Sequence, residues 1–159
     1  MTPSPRSKSF CKLHCLSEEI KTIEKSSIFV PFITITETWL KPYINDAQIN
    51  IENYNVFRAD RKAFKNGGAL IYIHNKIIVE DNASYDDGIC NAVACVCSNW
   101  SCIIICIYRP PNASINSFNN MLSFIECFIK KHNQLNKMQL FVNGDFNLPH
   151  LPWKTEIDV

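Results

Sequence analysis

Three short polar segments each close an apolar run in this 159-residue chain: Glu37 after Phe32 to Thr36, Tyr108-Arg109-Pro110-Pro111-Asn112 after Cys102 to Ile107, and Gly144-Asp145-Phe146-Asn147 after Leu140 to Val142. Polar groups at strand ends can be aimed by a rigid sheet into a shared cleft. Glu37 on its own also reads as an ordinary strand-end surface carboxylate. The phenol of Tyr108 and the planar donor fork of Arg109 suit a phosphate, and the two prolines fix the chain behind them. The competing reading is a strand leaving the core through a Pro-rich loop. Asp145 and Asn147 lie two apart and face one side if the backbone stays extended, an acceptor beside an amide, suited to orienting a water against a phosphorus atom. Asp and Asn are equally at home in turns.

The elements that must hold these groups follow from periodicity. Leu13, Leu16, Ile20 and Ile23 recur at helical spacing, opposite Glu18, Glu19, Lys21 and Glu24. The β-branched and aromatic stretch Phe32 to Trp39 predicts a strand, as do Tyr54 to Arg58, Ala69 to His74, Ile77 to Val79, Ala92 to Cys97, Cys102 to Tyr108 and Gln139 to Val142. Gly67-Gly68 closes a basic turn from Arg61 to Asn66, and Ser98 to Ser101 turns one strand into the next. Phe118, Leu122, Ile125 and Ile129 predict a helix over 116–131 with Ser114 as cap, and a polar loop at 132–137 follows it. Helices interleaved with hairpin strands imply an α/β or α+β layered domain. Residues 1–12 read as a flexible N-terminus.

Composition narrows the class. With 47% hydrophobic and 19% charged residues the chain can bury a core, and its net charge of +1 gives no global field for nucleic acid. The cluster Arg58, Arg61, Lys62 and Lys65 is the one local basic feature, readable as a backbone contact for DNA or as a solvated loop. None of the eight cysteines forms a C-x-x-C pair, and Cys95, Cys97, Cys102 and Cys106 fall in β-type sequence, so they read as buried free thiols. No apolar run reaches the roughly 20 residues of a membrane-spanning helix, and the N-terminus lacks a secretory pattern. The expected location is intracellular, nuclear or cytoplasmic. The N-x-S sequons at Asn82, Asn99 and Asn112 are therefore read as chance matches.

Taken in order, Thr36-Glu37-Thr38-Trp39-Leu40, Phe57-Arg58-Ala59-Asp60-Arg61 with Gly67-Gly68-Ala69-Leu70, Tyr108-Arg109-Pro110-Pro111, and Gly144-Asp145-Phe146-Asn147-Leu148-Pro149 with Trp153 resemble the apurinic-type endonuclease of non-LTR retrotransposons. That family belongs to the endonuclease/exonuclease/phosphatase superfamily. The resemblance covers Leu13 to Trp153 and implies a four-layer sandwich, two facing sheets covered outside by helices, with the active site at one edge. It implies that Glu37 binds Mg²⁺ or Mn²⁺, that Asp145 positions or deprotonates the attacking water, that Asn147 holds that water or a phosphate oxygen, and that Tyr108 contacts the scissile phosphate. Arg109, Arg58 and Arg61 follow as phosphate or DNA contacts. The implied reaction is hydrolysis of a DNA phosphodiester.

Two departures qualify the expectation. The family's N-terminal Asn motif has no counterpart in Arg6 to Lys12, and its later Asp and terminal Asp-His pair have none before Val159; Glu156 and Asp158 lie too near the end, and His150 does not match the catalytic position. The expected domain, 13–159, is thus a partial sandwich with an incomplete second sheet, prone to self-association through an exposed sheet face. Two functions follow: a metal-dependent DNA endonuclease impaired by truncation, or an inactive remnant of a mobile element with residual nucleic-acid or protein binding. Sphingomyelinase-like and inositol-phosphate phosphatase branches share the superfamily chemistry, but Thr36 to Leu40 and Leu148-Pro149 favour the retroelement branch.

Overall fold

The short runs rich in Ile, Val and Cys are too brief for buried helices, and in the computed structural model they form seven strands: β1 Phe32–Thr36, β2 Tyr54–Ala59, β3 Ala69–His74, β4 Val79–Asp86, β5 Asn91–Cys97, β6 Cys102–Tyr108 and β7 Gln139–Asp145. The structure describes residues 15–23, 25–62, 66–132 and 137–148. The expectations made for residues 1–12, Leu13, Glu24, Lys65, residues 133–136, Pro149, His150, Trp153, Glu156 and Asp158 lie outside them. Residues 15–23 are helical (α1), and α2 spans Ile115–His132. Ser114 caps α2 as expected, its hydroxyl accepting from Ser117 N at 3.1 Å.

The strands make two sheets. One is antiparallel with order β1-β3-β2; the other has order β4-β5-β6-β7, antiparallel except for the parallel β6-β7 pair that α2 connects. Between them lies a core of Ala59, Ala69, Ile71 and Ile73 from the first sheet and Val93, Cys95, Cys97, Cys102, Ile104 and Cys106 from the second. The opposite face of the second sheet packs through Ala94, Ile103, Ile105 and Ile107 on Met121, Ile125 and Phe128 of α2. Leu70 and Tyr72 turn to the outer side of the first sheet, where Ile20 of α1 and Leu40, Ile49 and Ile51 cover them. Helix, sheet, sheet and helix therefore stack in four layers, because β3, β5 and β6 are apolar on both faces and each face needs a cover.

Several boundaries differ from expectation. β1 stops at Thr36, not Trp39, because Glu37 and Trp39 both turn left-handed, each at φ 55. Ile77 and Ile78 do not hairpin with β3; they carry the chain across to the second sheet, where β4 begins at Val79. Most of β4, Glu80 to Asp86, escapes a propensity reading, since Asp, Asn and Ser are poor strand formers tolerated on this edge strand. The buried face of α2 runs through Ser117, Met121, Ile125 and Phe128, so Leu122 is left exposed. All seven described cysteines are free, and Cys90, Cys95, Cys97, Cys102 and Cys106 are buried. No helix among the described residues is long and apolar enough to cross a membrane.

Candidate active site at one end of the sandwich

Strand register assembles the site. Asp86 pairs with Asn91, Asn91 with Tyr108, and Tyr108 with Asp145, so the four strands of the second sheet each place one polar residue in a single cross-strand row. Directly paired residues share a face, and Tyr108 belongs to the core between the sheets, so the row looks toward the first sheet. Opposite it stand Glu37 and Thr38, just past β1, and Gly67-Gly68, just before β3.

Glu37 is exposed, yet its carboxylate is held: Oε2 accepts from Trp39 Nε1 at 2.6 Å and from Gly67 N at 2.8 Å, and the Tyr108 hydroxyl donates to the same carboxylate. A second tie runs from Trp39 N to Gly67 O at 2.9 Å. Partial burial alone pushes the Glu37 carboxyl up, but the hydrogen bonds from Tyr108, Trp39 and Gly67, with the charge of Arg61, outweigh it and hold the group below the usual carboxylate range. Burial first, then the hydrogen bond to Glu37 and its charge, push the Tyr108 phenol up, so it remains a protonated donor.

Glycine is required where the two sheets meet. A Cβ on Gly67, at φ 95, would come within 2.8 Å of both Arg61 Cδ and Tyr108 Cε1, and one on Gly68 within 2.3 Å of Thr38 Oγ1. The bare backbone lets Arg61 lie beside Tyr108 and Glu37, with its Nε donating to Gly88 O at 2.9 Å. Positive φ gathers at this end: Glu37, Trp39, Gly67, Gly68, Gly88, Gly144 and Asn147 have it, against Ser27, Asn53 and Ser101 elsewhere among the described residues. Such clustering is characteristic of sites that the surrounding fold over-determines.

The loops after β6 and β7 clasp each other. Arg109 N donates to Asp145 O at 2.8 Å, Asn147 Nδ2 to Arg109 O at 2.8 Å, and Arg109 Nη1 to Asn147 O at 2.8 Å. The Arg109 guanidinium also lies 5.2 Å from the centroid of Phe118. Of the two geometries open to Asp145 to Asn147, the turn forms: Asn147 is left-handed at φ 46, and its N–H turns back to Asp145 Oδ1 at 3.3 Å. Asn147 Nδ2 and Arg109 Nη1 are therefore spent on the clasp that sets Tyr108 beside Asp145, while Arg109 Nε is buried without a hydrogen-bond partner.

Of the residues singled out in the sequence, Glu37, Tyr108, Asp145 and Arg61 come to this end, with Arg109 and Asn147 behind them. Arg58 does not. Its Nε pairs with Asp46 at 3.2 Å and Asp60 at 3.5 Å, because Arg58 points to the outer face of the first sheet, two residues on from Val56, which packs there. His74 is buried between Phe29 and Tyr54 at the far end of β3, and His132 pairs with Asp81. Asp86 and Asn91 belong to the row and were missed; the available signal was a lone amide opening the apolar run Ala92 to Cys97. Mg²⁺ commonly takes one or two carboxylates and keeps the rest of its shell as water. An ionised, exposed Glu37 with Asp145 on the facing sheet fits that regime, although among the described residues no three Asp, Glu, His or Cys side chains converge as a metal cage. No protein-family model matches the chain, and no curated protein is detectably similar to it.

Proposed function

We propose that this chain is a metal-dependent phosphodiesterase acting on a DNA strand, an endonuclease of the endonuclease/exonuclease/phosphatase type. The observation that carries the proposal is the row Asp86, Asn91, Tyr108 and Asp145 set against an ionised, exposed Glu37. Glu37 would hold a Mg²⁺ or Mn²⁺ ion, which when bound supplies Lewis-acid neutralisation of charge developing on a phosphate oxygen. Tyr108, kept protonated, donates a hydrogen bond that fixes the Glu37 carboxylate. Arg61 adds positive charge at the rim where a phosphate backbone would approach. Asp145 would orient or deprotonate a water, and the Arg109–Asn147 clasp supports this reading by fixing its loop.

A second reading, residual nucleic-acid or protein binding without catalysis, draws on that same clasp. Asn147 and Arg109 are committed to backbone partners, where the resemblance assigns them to water and phosphate. The discriminating experiment is nicking of supercoiled plasmid by the full chain in Mg²⁺, with EDTA, Glu37→Ala and Asp145→Ala as controls. Nicking that requires Mg²⁺ and is lost in both variants is expected. A folded chain that binds DNA without cutting it would overturn the catalytic proposal in favour of the second reading.

A further inference from the structure

Asn91 is fully buried at the start of β5. A carboxamide in an apolar interior is costly unless its donors and acceptor are used, and here both ends are. Its Oδ1 accepts from Gly68 N at 3.1 Å, a bond that crosses from one sheet to the other, and its Nδ2 donates to Asp86 Oδ1 at 3.0 Å. Asp86 is itself anchored, accepting from Gly88 N at 3.0 Å and from Lys62 N at 3.3 Å. One residue before Gly68, the Gly67 N–H meets Glu37 Oε2 at 2.8 Å. Two successive glycines at φ 95 and 97 have little intrinsic preference for that orientation, so something must grip them.

We infer that Asn91 is a positioning residue of the Glu37 site: the bridge from Asp86 through Asn91 to Gly68 fixes the direction of the Gly67 N–H and, through it, the Glu37 carboxylate. It acts through the Gly67-Gly68 backbone, not on a substrate. The inference rests on reading Glu37 as the functional carboxylate. It also explains the residue type. Leu would satisfy neither Gly68 nor Asp86, and Asp would set a second carboxylate against Asp86.

The test follows the Trp39 indole N–H and the Gly67 amide by ¹⁵N NMR in the full chain, alongside Mn²⁺ affinity from paramagnetic broadening. Asn91→Asp and Asn91→Leu should shift both resonances and weaken Mn²⁺ binding about tenfold, as expected for a lost hydrogen bond to a buried polar group. The double variant Asp86→Asn with Asn91→Asp, which reverses donor and acceptor across the bridge, should recover much of both. Ile104→Ala, a cavity in the same core, should lower stability while leaving the two resonances near their parent positions. If Asn91→Leu does not fold, Asn91→Asp and its rescue carry the same discrimination. Unmoved resonances and unchanged Mn²⁺ affinity in a folded Asn91→Asp chain would overturn the inference. Shifted resonances in the Asn91 variants of a chain whose parent neither binds Mn²⁺ nor nicks DNA would overturn the functional reading and leave the positioning role standing.

Discussion

Adding one methyl group at Gly144 tests how closely β7 is seated on β6. A Cβ built there would lie 2.0 Å from Ile107 O and 2.8 Å from both Ile107 C and N, all backbone atoms of the neighbouring strand that cannot rotate away. Relieving the contact to 3.0 Å, below which real Cβ contacts essentially never fall, moves β7 by about 1 Å. That shift carries the 2.8 Å bond between Arg109 N and Asp145 O beyond the usual limit of about 3.5 Å. Losing one or two ladder bonds costs about 1 kcal/mol each, and an alanine at φ 144 adds about 1–3 kcal/mol. Gly144→Ala should therefore lower stability by about 2–5 kcal/mol, or the melting temperature by about 10 °C. Urea unfolding followed by tryptophan fluorescence measures the loss, and amide exchange along β6 and β7 locates it. Displacing Asp145 by this distance should also reduce any nicking rate about 100-fold. A loss under about 1 kcal/mol with β6-β7 protection intact would refute the reasoning.

The exposed Cys15 and Cys127 should react with Ellman's reagent in the native chain, while the buried Cys90, Cys95, Cys97, Cys102 and Cys106 react only on unfolding; burial pushes the Cys106 thiol up to about 11 and that of Cys97 to about 12. Burial alone pushes the Asp87 carboxyl up, but hydrogen bonds from the Ser117 hydroxyl, the Cys90 and Ile89 amides and the Tyr85 phenol outweigh it and hold the group below its ordinary 3.8. The stability this confers is full above 3.8 and is lost as pH falls through the folded value, so the urea midpoint should drop in acid, and Asp87→Asn should flatten that part of the profile. On the edge strand β7, Leu140, Phe141 and Val142 are 47%, 38% and 41% exposed. Leu140→Lys with Val142→Lys should therefore suppress concentration-dependent association in sedimentation velocity, and unchanged association would place the contact elsewhere.

Composition and period carried much of the fold. β3, β5 and β6 are legible because Ile, Val, Ala and Cys on both faces make a strand recognisable without its partners. β4 is not, because its residues are chosen by edge exposure and by Asp86 and Tyr85 at its end rather than by propensity. Glu37, Tyr108 and Asp145 were legible as strand-end polar groups, since the ends of adjacent strands meet wherever register allows. Arg58 was misplaced because sequence clustering ignores which face of β2 each side chain takes. The side Asn147 presents was not legible, because it depended on an extended backbone and the chain turns left-handed there instead. Asn91 and Asp86 acquire their meaning only from cross-strand register, which a linear reading does not contain.

The left-handed corner at Glu37 and Trp39 bears on how the chain would drift. Each L residue held there costs roughly 1–2 kcal/mol relative to glycine, and the corner is kept because the Gly67 ties and the indole bond are made with it. A laboratory lineage selected for folding alone would meet little resistance in replacing Glu37 or Trp39 by glycine or asparagine, whereas Ile71 or Ile104 would resist replacement. In such a lineage this end of the sandwich erodes first, and a stable, well-packed descendant would be left without its carboxylate.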